Sequence, residues 1–245
     1  SSDYPSLKGT PFHLNEWGLS SNYYRTVADY PDLAYRNSIS SPLFLFKLVD
    51  ALCQIGDQYN FPTSLLLYWG FTWEADENEF FVGKRELLTA GNTPKPIQTG
   101  FEMLAQLLPK RVNVVKDKKG GHLGLMATKS TNKIALLLYN YQESDGENPE
   151  GSDNVYIKLT GLKKNLRYTV ETIALNDKNN NTYQTWRSMG SPESADGIDL
   201  SPLKTAGVLR ITHQFEIKAN EKGEGKIDMV VDRSAATLMI LKTND

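Results

Sequence analysis

The chain has 245 residues, 40% hydrophobic and 23% charged, an ordinary globular composition with room for one large domain or two modest ones. Lys and Arg number 27 against 29 Asp and Glu, so a net charge of -2 gives no ground for a nucleic-acid or anionic-membrane partner held by bulk charge. The longest apolar runs, LLLYWGF and IALLLY, fall short of the ~20 residues a membrane helix needs, and a soluble protein is expected.

In chain order, PFHLNEW (11–17) reads as a short strand ending in polar and aromatic residues. Over 38–58, Ile39, Leu43, Phe46, Leu48, Leu52 and Ile55 recur mostly at steps of three and four, which predicts a helix started by Ser40 or Ser41 and Pro42. SLLLYWGF (64–71) is apolar at successive positions, as expected of a parallel strand covered on both faces. After the acidic segment TWEADENEF, a second helix is predicted over 97–108, with Pro94 and Pro96 shaping its entry. Strand, helix, strand, helix is the order of a βα-repeating α/β fold, and the two strands are expected to be adjacent and parallel.

From Arg111 the pattern is all β: RVNVV, HLGLMATK, KIALLLYNY, NVYIKLTGL, RYTVETIAL, GVLRITHQFEI, KIDMVV and ATLMILK. They are separated by segments rich in Gly, Asn and Asp, such as DKKGG, NDKNNN and NEKGEGK, because those residues tolerate turn dihedrals. About eight strands at that spacing suit a β-sandwich. The expected division is 1–110 and 111–245.

The carboxyl ends of parallel strands face the ligand cleft of an α/β fold, which draws attention to Asn15, Glu16 and Trp17 after the first strand. The second strand ends in similar chemistry: Tyr68, Trp69, Trp73 and Glu74. Aromatic faces pack on the C–H faces of sugar rings while carboxylates attack or stabilise an anomeric carbon. The bland alternatives are an acid paired with a nearby base and aromatics that belong to the core. Other chemistry is poorly supported. Cys53 stands in an apolar helical pattern, and His13, His122 and His213 are far apart, so no metal is expected. No G-x-S-x-G and no phosphate-binding glycine loop occur, and no cofactor is implied. Asp76, Glu77 and Glu79 read as a solvated loop, and the sequon Asn180-Asn181-Thr182 as a chance match in a turn.

PFHLNEWG, AYRNSISSPLFLFKLVDAL, LLLYWGFTWEADE and ELLTAGNTPKPIQTGFEMLAQLL, followed by strands, resemble the C-terminal part of glycoside hydrolase family 39, the β-xylosidases and α-L-iduronidases. The Pro-Lys-Pro segment with its preceding Leu-Leu-Thr is the most specific part of that likeness. The resemblance implies the last two βα units of a (β/α)8 TIM barrel followed by a C-terminal β-sandwich. It puts the nucleophile of a retaining hydrolase on Glu16 and an aromatic sugar contact on Trp69, with Tyr68, Trp17, Asn15, Trp73 and Glu74 around the sugar. A complete barrel takes ~250 residues, and the family's acid/base, a Glu after Asn on the fourth strand, is expected upstream of this chain. The implied partners are a carbohydrate substrate and either an N-terminal barrel segment or a second copy of the chain. By itself the chain is expected to be inactive on ordinary glycosides. The competing expectation is a non-catalytic carbohydrate-binding or scaffold remnant of such an enzyme.

Overall fold

The computed structural model describes residues 6, 9–18, 25–61, 63–70, 79–117, 121–142 and 150–243. Its N-terminal part holds a two-stranded parallel sheet, β1 (Phe12–Leu14) and β2 (Thr63–Leu66), with His13 opposite Leu65 and Leu14 opposite Leu66. Helix α1 (Ser40–Tyr59) joins them. Its predicted apolar positions Ile39, Leu43 and Phe46 are buried, and it stops at Asn60, whose left-handed backbone returns an N–H to the Gly56 carbonyl. Helix α2 (Pro96–Ala105) starts on a proline, whose missing N–H costs nothing in a first turn. The two helices touch closely at Gly100, where a Cβ would lie 2.6 Å from Cβ of Pro42.

Between them runs a short hairpin, β3 (Leu88–Thr89) and β4 (Thr93–Pro94). The remaining strands are β5 (Lys110–Arg111), β6 (Leu123–Lys129), β7 (Lys133–Asn140), β8 (Ser152–Leu159), β9 (Arg167–Leu175), β10 (His213–Lys218), β11 (Gly225–Asp232) and β12 (Ala235–Thr243). Six form an antiparallel sheet in the order β10-β9-β12-β7-β6-β5, and β11 pairs with β8 as a second layer.

Side-chain alternation along the central strands explains the layering. Leu136, Leu138, Met239 and Leu241 face β8 and β11 and share a core with Ile157, Ile227 and Val231. On the opposite face, Ala135, Leu137, Tyr139, Ala236 and Leu238 share a core with Leu43, Phe46, Ile97 and Met103 of the helices. KIALLLYNY and ATLMILK are apolar at nearly every position because β7 and β12 are covered on both sides. The expected boundary near residue 110 therefore crosses a continuous core. A buried hydrogen bond of 2.9 Å from the Tyr139 hydroxyl to Asp50 spans it.

Three expectations need correction. Two helices interrupt the C-terminal part, α3 (Thr182–Ser188) and α4 (Ser201–Ala206). The strand expected from residue 207 begins at His213, because the preceding backbone is held by a side chain: the Arg210 N–H donates to Asn180 Oδ1 and its carbonyl accepts from Asn180 Nδ2. Asn180 is thus buried and committed to structure. Of RVNVV only Arg111 lies in a strand, the two-residue β5.

Candidate active site

Because β1 and β2 run parallel, the residues after Leu14 and after Leu66 leave the sheet at the same end. The Leu67 N–H still reaches the Leu14 carbonyl at 2.9 Å, which fixes the two exits side by side. Beyond the strands the predicted residues fall into two groups by their contacts. Trp17 and Tyr68 turn towards the helices. Their rings are 5.1 Å apart, with Phe101 5.8 Å from Tyr68 and Phe44 6.1 Å from Trp17. Burial pushes the Tyr68 phenol far above the ordinary tyrosine range, so it remains a neutral donor.

Asn15 and Glu16 are exposed and Trp69 is half-buried. The guanidinium of Arg85 lies 4.9 Å from the centre of the Trp69 ring, an arrangement that stabilises a cation against an aromatic face. Glu16 acts electrostatically on the same guanidinium. Burial is the main influence on that guanidinium, and Glu16 the weakest of the charges acting on it. Trp73 and Glu74 lie outside the described residues, as do Asp76 and Glu77.

The segment carrying Arg85 is held from below by groups distant in sequence. Residues Pro31–Arg36 form a 3-10 helix, followed by Asn37. Arg36 Nη1 donates to the Gly83 carbonyl at 3.2 Å. The Asn37 amide donates to the Phe81 carbonyl and accepts from the Gly83 N–H. Lys95 Nζ donates to the Lys84 carbonyl at 2.6 Å. Gly83 takes a positive φ of 85° that a side chain would resist, and a Cβ there would run into Val27. Phe81 packs on Tyr183 and Trp186 of α3, at 5.2 and 5.1 Å, so the unforeseen helices also buttress this segment.

Arg36, Lys95 and Glu86 are all buried. Burial, helped by the like charges of Arg36 and Lys84 and opposed by Glu86, pulls the Lys95 ammonium down to about 8. A narrow recess opens behind the strand ends, bordered by Trp17, Gly18, Tyr35, Ser41, Phe44, Tyr68 and Arg85. Among the described residues no cluster of three or more His, Cys, Asp or Glu could hold a metal, and no helix is long and apolar enough to cross a membrane.

The profile of glycosyl hydrolases family 39 matches residues 5–207. The chain belongs to that family. A β-xylosidase of Caldicellulosiruptor saccharolyticus is 25% identical over 204 residues, covering 82% of this chain and 38% of the relative. A monomeric β-xylosidase from Caulobacter crescentus CB15 shares the fold with a TM-score of 0.72 at 17% identity, over 96% of this chain and 46% of that one. The GH39 enzyme from Xanthomonas axonopodis pv. citri matches with a TM-score of 0.70 at 15% identity, over 95% and 44%. A bacterial orthologue of human α-L-iduronidase matches at 0.69 and 15%, over 100% and 43%. The family 39 chain thus spans less than half the length of each of these proteins.

Tyr35, Arg36 and Arg85 were not singled out from the sequence. Arg36 and Arg85 are 49 positions apart, and each looks like a solvated charge until the loop closes over the 3-10 helix. The pair of arginines flanking the Leu-Leu-Thr and Asn-Ser motifs is the one available signal.

Proposed function

We propose that this chain is the C-terminal portion of a retaining glycoside hydrolase acting on xylosides or uronides, with Glu16 as nucleophile and the acid/base supplied from outside it. In this reading residues 1–110 are the last two βα units of an eight-unit barrel and 111–245 a β-sandwich domain. The carrying observation is the parallel pairing of β1 with β2, which sends the segments carrying Glu16 and Trp69 out at the same end of the sheet.

A retaining mechanism needs two carboxyl groups ~5 to 5.5 Å apart. Glu16 would attack the anomeric carbon and form a glycosyl ester as the bond to the leaving oxygen breaks. The second carboxyl group would protonate that oxygen, then deprotonate the water that releases the sugar. Trp69 would supply a face for the ring and Asn15 a polar contact beside the nucleophile. Trp17 and Tyr68 hold the strand ends against the helices and border the recess. His13, Leu65 and Leu67 are exposed on the opposite face of the small sheet, where an N-terminal barrel segment or a second copy would pack.

Dinitrophenyl glycosides test this reading because their leaving group needs little protonation. Slow release of dinitrophenolate, abolished by Glu16→Gln, is the expected result, together with no turnover of alkyl xylosides, since general acid catalysis is worth ~10²- to 10⁴-fold. Activity unchanged by Glu16→Gln would remove Glu16 from the mechanism. No release at all would favour a non-catalytic remnant.

A further inference from the structure

The strand ladders of the sandwich set cations opposite one another, and they do so at one end only. Lys110 of β5 faces Lys129 of β6, and Lys133 of β7 faces Lys242 of β12. Arg167 of β9 faces Lys218 of β10, and in the second layer Lys158 of β8 faces Lys226 of β11. Like charges directly opposite weaken a ladder. At the other end of the described ladders the facing pairs, such as Leu123 with Asn140 and Ser152 with Asp232, hold no two cations.

Carboxylates answer part of this charge. Glu171 takes Lys242 at 2.5 Å, Glu216 takes Arg167 at 3.2 Å and Glu224 takes Lys158 at 2.8 Å. The cations facing them, Lys133, Lys218 and Lys226, stay exposed, as do Lys110 and Lys129. Loops 160–166 and 219–224 cross between the layers at this same end and add exposed Lys163, Lys164 and Lys222. The two loops are tied together: the Leu162 N–H donates to the Gly223 carbonyl at 3.0 Å, and the Ala219 N–H to the Leu166 carbonyl at 2.9 Å. The cations therefore stand on a braced, blunt end six strands wide and two layers deep, about 24 Å by 10 Å from strand and sheet spacings.

This end lies opposite the candidate site. Trp17, just after β1, packs on Phe44 at the start of α1, and Phe44 packs on Tyr141 just after β7. Arg111, beside Lys110, instead donates to Asp57 and to the Cys53 carbonyl towards the far end of α1. The whole chain carries a net charge of -2, so what lies outside the basic end is net negative. An anionic surface therefore selects one orientation, with the exits of Glu16 and Trp69 turned away from it.

We infer that this end is a docking surface for an anionic lipid membrane. Its cations spread over both layers as a plane, which fits a plane of headgroups, whereas a linear polyanion calls for a groove or a single row. Lysines outnumber arginines here, and compact point charges suit mobile headgroups better than a bidentate grip on one fixed phosphate. The docking surface stands on these charges and does not rest on the hydrolase reading.

The test is co-sedimentation of the whole chain with phosphatidylcholine vesicles, with and without about one third phosphatidylserine, at low and high salt. At low salt the anionic vesicles should bind about tenfold or more tighter than the neutral ones, and high salt should remove the difference. Lys218→Glu with Lys226→Glu turns two like-charge pairs into opposite-charge pairs. That variant should unfold no more easily than the parent and bind anionic vesicles about tenfold or more weaker. Lys129→Gln with Lys133→Gln should weaken binding in the same direction from the other side of the sheet. Lys178→Glu with Lys204→Glu, exposed outside this end and matched in charge, should stay within about threefold of the parent. Equal binding to both kinds of vesicle at low salt, or equal loss in the two glutamate variants, would overturn the proposal. Binding to a DNA duplex or to dextran sulfate without binding to phosphatidylserine vesicles would overturn the lipid assignment.

Discussion

The sandwich and the βα part place their polar groups in opposite ways. In the sandwich, β7 and β12 bury apolar side chains on both faces and the ladder satisfies the backbone. A side-chain polar contact there joins neighbouring strands, Lys242 of β12 to Glu171 of β9 at 2.5 Å. In the βα part a two-stranded sheet leaves leucines exposed on one face, while Arg36, Lys95 and Glu86 are buried. Burying charge is costly unless it is paired and hydrogen-bonded, and here it immobilises one loop. The difference separates a region organised for stability from one organised to hold a few groups in place.

The largest effect expected from this contrast is in the shared core. Leu137 is fully buried between β7 and the helices, and Leu137→Ala should lower the free energy of unfolding in urea by about 2–5 kcal/mol. A change under about 1 kcal/mol would mean that helices and sandwich do not share one core. Next comes the clamp: Asn37→Ala removes the partner of the Phe81 carbonyl and the Gly83 N–H and should cost about 2 kcal/mol, with a change in Trp fluorescence as Arg85 leaves Trp69. Unaltered fluorescence would show that the 81–85 segment does not depend on the 3-10 helix.

A third measurement uses pH. Lys95 has its folded pKa lowered to about 8 against a model-peptide value near 10.4, so between those values the unfolded chain binds more protons and stability rises with pH. Chemical unfolding from pH 8 to 10 should show a gain on the order of 2 kcal/mol that Lys95→Met removes. Above pH 10 the raised phenols of Tyr68 and Tyr139 reverse the trend, because the unfolded chain ionises first and stability is lost as pH rises. A wild-type and variant pair with parallel pH profiles would place Lys95 in solvent. The smallest effect belongs to the open sheet face: Leu65→Ser should alter stability by less than about 0.5 kcal/mol.

Local periodicity made much of this architecture legible. The three- and four-residue steps of 38–58 and the continuous apolar run of 64–71 gave the α1 and β2 assignments, and alternating segments with Gly- and Asn-rich breaks located β6 to β12 of the C-terminal part. Short elements escaped: TYQTWRS is too brief for a helical stripe and forms α3 because Asn181 caps it and its aromatics pack on Phe81. The start of GVLRITHQFEI reads as strand by composition, yet Asn180 captures its backbone first. In the proposed site, Glu16 and Trp69 were visible because they follow strands. Arg36 and Arg85 were not, since their proximity is made by a loop closing over distant sequence.

The central claim is that Glu16 attacks the sugar, and the covalent intermediate is its most direct witness. The chain would be incubated with a 2-deoxy-2-fluoro glycoside carrying a dinitrophenyl leaving group, then digested and examined by mass spectrometry. The account predicts one added fluorosugar on the peptide containing Glu16, absent in Glu16→Gln. Dinitrophenolate release with that peptide unmodified, or with the sugar on another carboxylate, would contradict it.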